Sequence, residues 1–387
     1  MSAVPLLSDS PRVGRRTFLW GGAGVIATQV AGATPAEAYS RPKGVVFTIT
    51  GGTFSPEVEL APTSKAIVRW LDYRGREFAR GTRPTIDFGS VGARTVTMVT
   101  TFADVLSVNL GFDADADAGD FGPGASYTKQ PEPVVRISGL TRLTQLRQFL
   151  AGGTPLAGSL IVSGLSHLRY IECFGAQLTS IDLNGCKRLV RLCVEANRLT
   201  KLDLNPVAGS LRDLRAAAQQ TGRLSFTSLK KPLARLYHFC VRDQVVTGHP
   251  SSSRLPVCRE LWNWNTGQRG AMPRPGDAQS VMSYGNSYTS VNVSGQWRSE
   301  GYGGLDLTDN RLSAVTLTGC LGLRSVLLGG NALPQSQVDR VLVEVASWNT
   351  SGGTLVLDGT NASPSTVGLE SADNLRGRGW DVTLATA

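Results

Sequence analysis

The sequence is poor in the groups that most enzyme chemistry requires. Only 18% of its 387 residues are charged, and only His167, His238 and His249 are histidine. Those three lack metal-ligand spacing and the six cysteines contain no Cys-x-x-Cys pair, which argues against zinc or any other metal. After residue 38 there is no Gly-x-Ser-x-Gly, His-Glu-x-x-His or phosphate-binding loop, so common signatures of serine hydrolases, metalloproteases and nucleotide enzymes are missing. No Lys/Arg run exceeds two residues, and basic charge scattered in this way does not suit nucleic acid. No cofactor is expected.

What is present is apolar residues at 41%, with 44 Gly and 19 Pro. That composition supports a substantial core built from many short elements joined by turns. The formal charge is +9, a mildly basic balance that suits anionic polymers or acidic partners.

The first 38 residues read as an address. Arg15-Arg16-Thr17-Phe18-Leu19 precedes a Gly/Ala-rich apolar stretch, and Ala36-Glu37-Ala38 is a small-x-small cleavage site. The segment resembles a twin-arginine export signal, which implies a secreted or extracellular chain starting at Tyr39, wall-associated at most and with no membrane insertion after cleavage. Gly22 to Ala27 matches a dinucleotide fingerprint formally, but no strand precedes it.

Residues 39–125 hold short β-branched or alternating stretches, Val45 to Thr50, Ala66 to Tyr73, Pro84 to Phe88 and Arg94 to Thr101. Val68-Arg69-Trp70-Leu71-Asp72 and Gly92-Ala93-Arg94-Thr95-Val96-Thr97-Met98 resemble strands of polycystic-kidney-disease-type Ig-like domains. The resemblance implies a small β-sandwich that spaces or presents its neighbour, with Trp70 in its core. The Asp113, Asp115, Asp117, Asp120 cluster departs from a calcium loop: Gly119 comes one place late and Gly124 stands where Glu is needed. It reads as solvated chain leading into a linker at 126–138.

The strongest signal is a repeat over 139–335. Leu189-x-x-Leu192-x-Val194-x-x-Asn197-x-Leu199 follows a similar unit containing Leu168, Ile171, Cys173, Ala176 and Leu178. Leu305-x-Leu307-x-x-Asn310-x-Leu312 is followed by Val326, Leu328, Asn331 and Leu333. Connecting phrases such as Ile181-Asp182-Leu183-Asn184-Gly185-Cys186 and Val315-Thr316-Leu317-Thr318-Gly319-Cys320 recur too. The pattern resembles bacterial secreted leucine-rich-repeat proteins. The fold expected is therefore an α/β repeat: a leucine-rich-repeat solenoid with a parallel β-sheet, preceded by the β-sandwich. Strand residues at positions 1, 4 and 6 face a shared core, and the Asn at position 9 satisfies turn backbone groups as a ladder. A right-handed parallel β-helix is the competing scaffold. Residues 336–387 read as a capping region: a helix over Gln335 to Ser347 with Val338, Val341, Leu342 and Val345 inward, a strand at Thr354 to Asp358, a helix after Pro364, and a strand at Trp380 to Leu384.

Cys186 and Cys320 share a repeat position and read as buried packing thiols. His238, Cys240 and Asp243 invite a triad reading, but in this register His238 takes the inward position 6 with Cys240 beyond the strand. Positions 3, 5 and 7 point onto the concave sheet face. They supply a candidate ligand surface of Tyr170, Phe174, Arg191, Glu195, Arg235, Tyr237, Phe239, Arg259, Trp262 and Tyr284, residue types enriched in interface hot spots. The function expected is recognition of a protein or cell-wall polysaccharide by a monomeric, non-enzymatic binding protein. The alternative is an exported carbohydrate-active hydrolase or lyase on a β-helix-like scaffold.

Overall fold

Each coil begins with apolar residues at three-residue spacing, as in Leu165, Leu168 and Ile171, or Cys186, Leu189 and Leu192. The third of each set is the middle residue of a short strand, such as Tyr170–Glu172 or Arg191–Cys193. Strand alternation turns that residue inward and its two neighbours outward. Ile171, Leu192, Leu214, Phe239, Leu261, Val281, Leu305 and Val326 occupy this place and are fully buried or nearly so.

The structure is a computed structural model that describes residues 43–111, 131–297 and 303–386. The expected export signal, the Asp113 to Asp120 cluster and the start of the expected linker lie outside the described residues. What is described is a mostly β solenoid with a parallel sheet and few helices, preceded by an antiparallel β region. The long sheet has thirteen strands. It runs from Glu57–Leu60 through Val105–Asn109, Gln148–Leu150 and the strands above to Gly353–Leu357 and Trp380–Leu384, and all but the first are parallel. Shorter parallel stacks line the opposite side, for example Ala157–Ile161 on Gln177–Asp182 and Ser287–Asn292 on Ala314–Thr316. The recurring connecting phrases begin in the last residues of these back strands, Ile181-Asp182 and Val315-Thr316, and run on into the turns that follow.

The turn leaving each front strand has one conformation. Gly175, Ala196, Ala218, Asp243, Asn265, Gly285, Asp309, Gly330 and Gly359 all have positive φ. The residue after most of them carries an amide, and the expected ladder is real. Asn197 Nδ2 donates to the carbonyls of Cys173 and Val194, while its Oδ1 accepts from Leu178 N–H. Gln219, Gln244, Asn286, Asn310 and Asn331 repeat this bonding to their own coil and the one before. Buried backbone groups that the turn leaves unpaired are thereby satisfied.

The C-terminal expectations hold closely. Helix α1 spans Gln335–Ser347 with Val338, Val341, Leu342 and Val345 buried, and α2 spans Thr366–Gly377. Among the described residues no helix is long and apolar enough to cross a membrane. Trp380 is 3% exposed and donates its indole N–H to Thr350.

The N-terminal region differs from a free-standing sandwich on a linker. Trp70 is fully buried against Phe47 and Phe54, as expected of a core aromatic. Val105–Asn109, however, pairs with Gln148–Leu150 and so opens the solenoid sheet. Val134–Ser138, placed in the linker by the sequence, is a strand paired with Val45–Ile49. One hydrophobic cluster runs unbroken from Val45 to Val382. The reason is burial on both faces: all five residues of Val105–Asn109 are buried, so the alternation that marks a surface strand is absent.

Candidate functional site

Parallel register sorts the outer face of the long sheet into columns. Tyr170, Arg191, Asp213, His238, Glu260, Ser280, Gly304 and Ser325 form one. Glu172, Cys193, Arg215, Cys240, Trp262, Met282, Asp306 and Leu327 form a second, two residues on. The turns extend a third, with Arg242, Trp264, Tyr284, Thr308, Gly329 and Asp358 successive, each carbonyl accepting from the preceding coil.

In the first half of the face, charged groups are buried together. Asp213 lies 3.0 Å from Arg191 Nε, 3.3 Å from Arg215 Nε and 2.9 Å from His238 Nδ1. Arg191 also reaches Glu172 at 3.5 Å. Burial pushes the Asp213 carboxyl up, but the hydrogen bond from His238 and the positive charges of His238, Arg215 and Arg191 outweigh it, holding it below the usual carboxylate range. The His238 ring meets Trp262 edge-on at 4.7 Å. Its Nε2 is buried, has no hydrogen-bond partner among the described residues, and lies 4.0 Å from Glu260.

Cys240 Sγ faces Glu195 at 3.5 Å, and burial together with that carboxylate pushes the thiol up to about 12. A thiol held protonated is a poor nucleophile. Asp243 pairs instead with Arg242 at 2.8 Å. His238, Cys240 and Asp243 therefore have separate partners and form no hydrogen-bonded triad. All six cysteines are free and buried, and Cys186 and Cys320 make equivalent contacts to the carbonyls of Val162 and Val293. Among the described residues no group of three or more His, Cys, Asp or Glu is arranged to hold a metal.

In the second half the face becomes aromatic and apolar. The Arg242 guanidinium sits 5.1 Å over the Trp264 ring, and Tyr284 stacks on Trp264 at 5.2 Å and 12°. Trp262 lies 6.3 Å from Trp264. Met282 is 38% exposed, and Trp262, Trp264 and Tyr284 are half-buried. Burial, with Asp243 and Asp306 nearby, raises the Tyr284 hydroxyl to about 12, so it stays protonated.

Of the residues singled out from sequence, Tyr170, Phe174, Arg191, Glu195, Trp262 and Tyr284 lie on this outer face. Phe239 does not: it is a fully buried core residue packed on Phe226 and His249. Arg235, Tyr237 and Arg259 precede their strands rather than standing on them, exposed on the approach, with Arg259 paired to Asp277. His238 is correspondingly an outer-face residue, not an inward one. The difference arises because Leu233, Leu236 and Phe239 offer two Leu-x-x-apolar frames three residues apart, and the fold uses the later one, with Phe239 at the strand centre. A usable signal existed. Gln244 plays the part of Asn197, and the ladder amide falls five residues after the buried strand centre, as in Leu192 and Asn197, so counting back from Gln244 reaches Phe239. That count also brings His238 and Arg242 to the outer face, while in the next coil Thr266 stands at the amide position and Glu260 and Trp264 flank Leu261 without that signal.

The chain matches no model of a known protein family, and no curated protein shows significant similarity to it.

Proposed function

We propose that this chain is an exported, leucine-rich-repeat-type binding protein that recognises a protein or cell-wall polysaccharide through the outer face of its long sheet. The observation that carries this reading is the half-exposed group of Trp262 and Met282 on strands and Trp264 and Tyr284 on the turns that leave them, all held in the register of the parallel sheet. Solvent-facing strand positions are ordinarily small or polar, whereas Trp, Tyr and Arg dominate binding hot spots. Coils of a single short front strand, returning through an amide ladder, favour the leucine-rich-repeat type over a β-helix. Export rests on Arg15-Arg16 and Ala36-Glu37-Ala38, and amino-terminal sequencing of the secreted chain should begin at Tyr39.

The test is binding to isolated wall fractions and secreted proteins by the full chain and its variants. Trp262→Ala and Tyr284→Ala are expected to weaken capture by about 2 kcal/mol while leaving folding nearly intact. Lys187→Ala, an exposed change off this face, is expected to do nothing. Equal losses from Lys187→Ala, or no loss from either aromatic truncation, would overturn the reading.

A further inference from the structure

The third column on the outer face is a stack that stops short. It runs from the Arg242 guanidinium to the Trp264 ring to the Tyr284 ring, one rung per strand at a spacing of about 4.8 Å. The next two rungs are Thr308 and Gly329, neither long enough to cover the far face of Tyr284. At the rung beyond, Asp358 leans back: a Cβ placed on Gly329 would collide with its Oδ1. A notch thus lies between an aromatic face and a carboxylate, over a floor of small residues.

The neighbouring column borders this notch with Met282, Asp306, Leu327 and Val356 in register. Met282 is exposed, and the other three are half-buried. Asp306 accepts the Thr308 N–H, and burial together with Asp309 raises its carboxyl above the ordinary value. Neither Asp306 nor Asp358 forms an ion pair among the described residues. Outer-face positions from Ser280 to Asp358 contain no Lys or Arg, in a chain whose overall charge is +9.

We propose that this part of the sheet docks a basic segment of a protein partner, with an Arg or Lys head group seated between the Tyr284 ring and the carboxylates of Asp306 and Asp358 and its aliphatic stem lying on Met282 and Leu327. The inference rests on the outer-face binding reading and narrows it to one class of ligand. Charge complementarity selects the cation: an anionic polymer meets unpaired carboxylates here, and a neutral glycan leaves them uncompensated. The molecule already uses the same contact once, with Arg242 on the opposite end of the stack, and a guanidinium on Tyr284 would complete it symmetrically. Trp264 offers a sugar ring no bare face, because Arg242 and Tyr284 cover both, which leaves only the far face of Tyr284 in this stack. A long aliphatic stem under a charged head matches the alternation of apolar and acidic positions in the second column.

The experiment titrates the full chain with acetylated pentaarginine amide, followed by tryptophan fluorescence and calorimetry, beside pentaglutamate and an N-acetylglucosamine hexamer. Saturable binding of pentaarginine is expected, weakened about tenfold by Asp306→Asn, by Asp358→Asn and by Tyr284→Leu. Glu370→Gln, an exposed acidic change on α2, should leave it unchanged. Melting curves confirm that each variant is folded. The proposal is overturned if pentaarginine fails to saturate, or if Glu370→Gln weakens it as much as Asp306→Asn. If the hexamer binds in a Tyr284-dependent way and pentaarginine does not, the basic-partner inference falls while the outer-face reading stands. If no ligand responds to Trp262 or Tyr284, both fall.

Discussion

The two halves of the outer face share one backbone and differ in what they do with it. From Tyr170–Glu172 to His238–Cys240 the outward positions hold Glu172, Arg191, Asp213, Arg215 and His238, all nearly inaccessible and bridged to one another. From Trp262 onward the second and third columns hold rings, thioether and aliphatic carbon, with Asp306 and Asp358 in no ion pair among the described residues. Buried charges that satisfy one another give a rigid patch with little affinity to spare, because any partner must first displace a hydrogen-bonded ion. Half-exposed apolar surface and an uncompensated carboxylate are cheaper to desolvate and gain more from contact. The contrast separates a scaffold from the proposed binding face within one sheet.

The largest expected effect tests the scaffold half. Asp213→Ala leaves Arg191, Arg215 and His238 gathered around a missing carboxylate, and should lower the unfolding free energy by about 3 to 5 kcal/mol. Urea denaturation measures it. A variant as stable as the parent would mean that the first half is not structural, and the comparison would collapse.

Beneath the face the two halves should be alike. Removing a ladder amide leaves several buried backbone groups unpaired, so Asn197→Ala and Asn310→Ala should each cost about 2 kcal/mol or more. A large inequality between them would show that the halves differ in the core as well as on the surface.

A third test concerns pH. His249 lies under the seam: its Nδ1 contacts the Pro250 carbonyl at 2.9 Å and its Nε2 faces the Asn263 amide at 3.3 Å. Nδ1–H then donates and Nε2 accepts, so a second proton has no acceptor, and burial depresses the ring to about 4. With a depressed folded value the unfolded chain binds the proton more tightly. Stability should therefore fall as pH drops from about 6.5 to about 4, by at most ~1.4 kcal/mol per pH unit, and level off below. In His249→Gln this part of the slope should vanish, and an unchanged slope would place its origin elsewhere.

Next in size is a change of sign. Burial raises Asp306, so its charged form is disfavoured in the fold, and above the raised value it reduces stability. Asp306→Asn should raise the melting temperature at pH 7 even as it weakens a cationic ligand, whereas Asp213→Asn should lower it. A shared sign would refute the division. The smallest effect is local: Ala196 has φ 53°, where an L side chain is strained and glycine is not. Ala196→Gly should therefore gain up to about 1 kcal/mol, read from thermal unfolding.

Much of this was legible in the chain. The spacing of Leu168, Leu189, Leu192, Asn197, Leu305 and Asn310 specifies a solenoid, its buried residues and its amide ladder, because each depends on neighbours within a few positions. Helix α1 was legible for the same reason, its 3.6-residue apolar stripe being local. The ends of the back strands were present in recurring phrases but not as pairs.

Side-chain partnership at the site is of another kind. Leu233, Leu236 and Phe239 are equivalent in composition, and what selects Phe239 as the strand centre is the stacking of neighbouring coils, which fixes register against Leu214 and Leu261. Alternation then sends His238 outward to Asp213, since a slip of one residue exchanges the two faces. Local pattern set the coils and what they bury. Packing between coils chose the frame, and with it which charges meet, which rings stack, and where the stack ends.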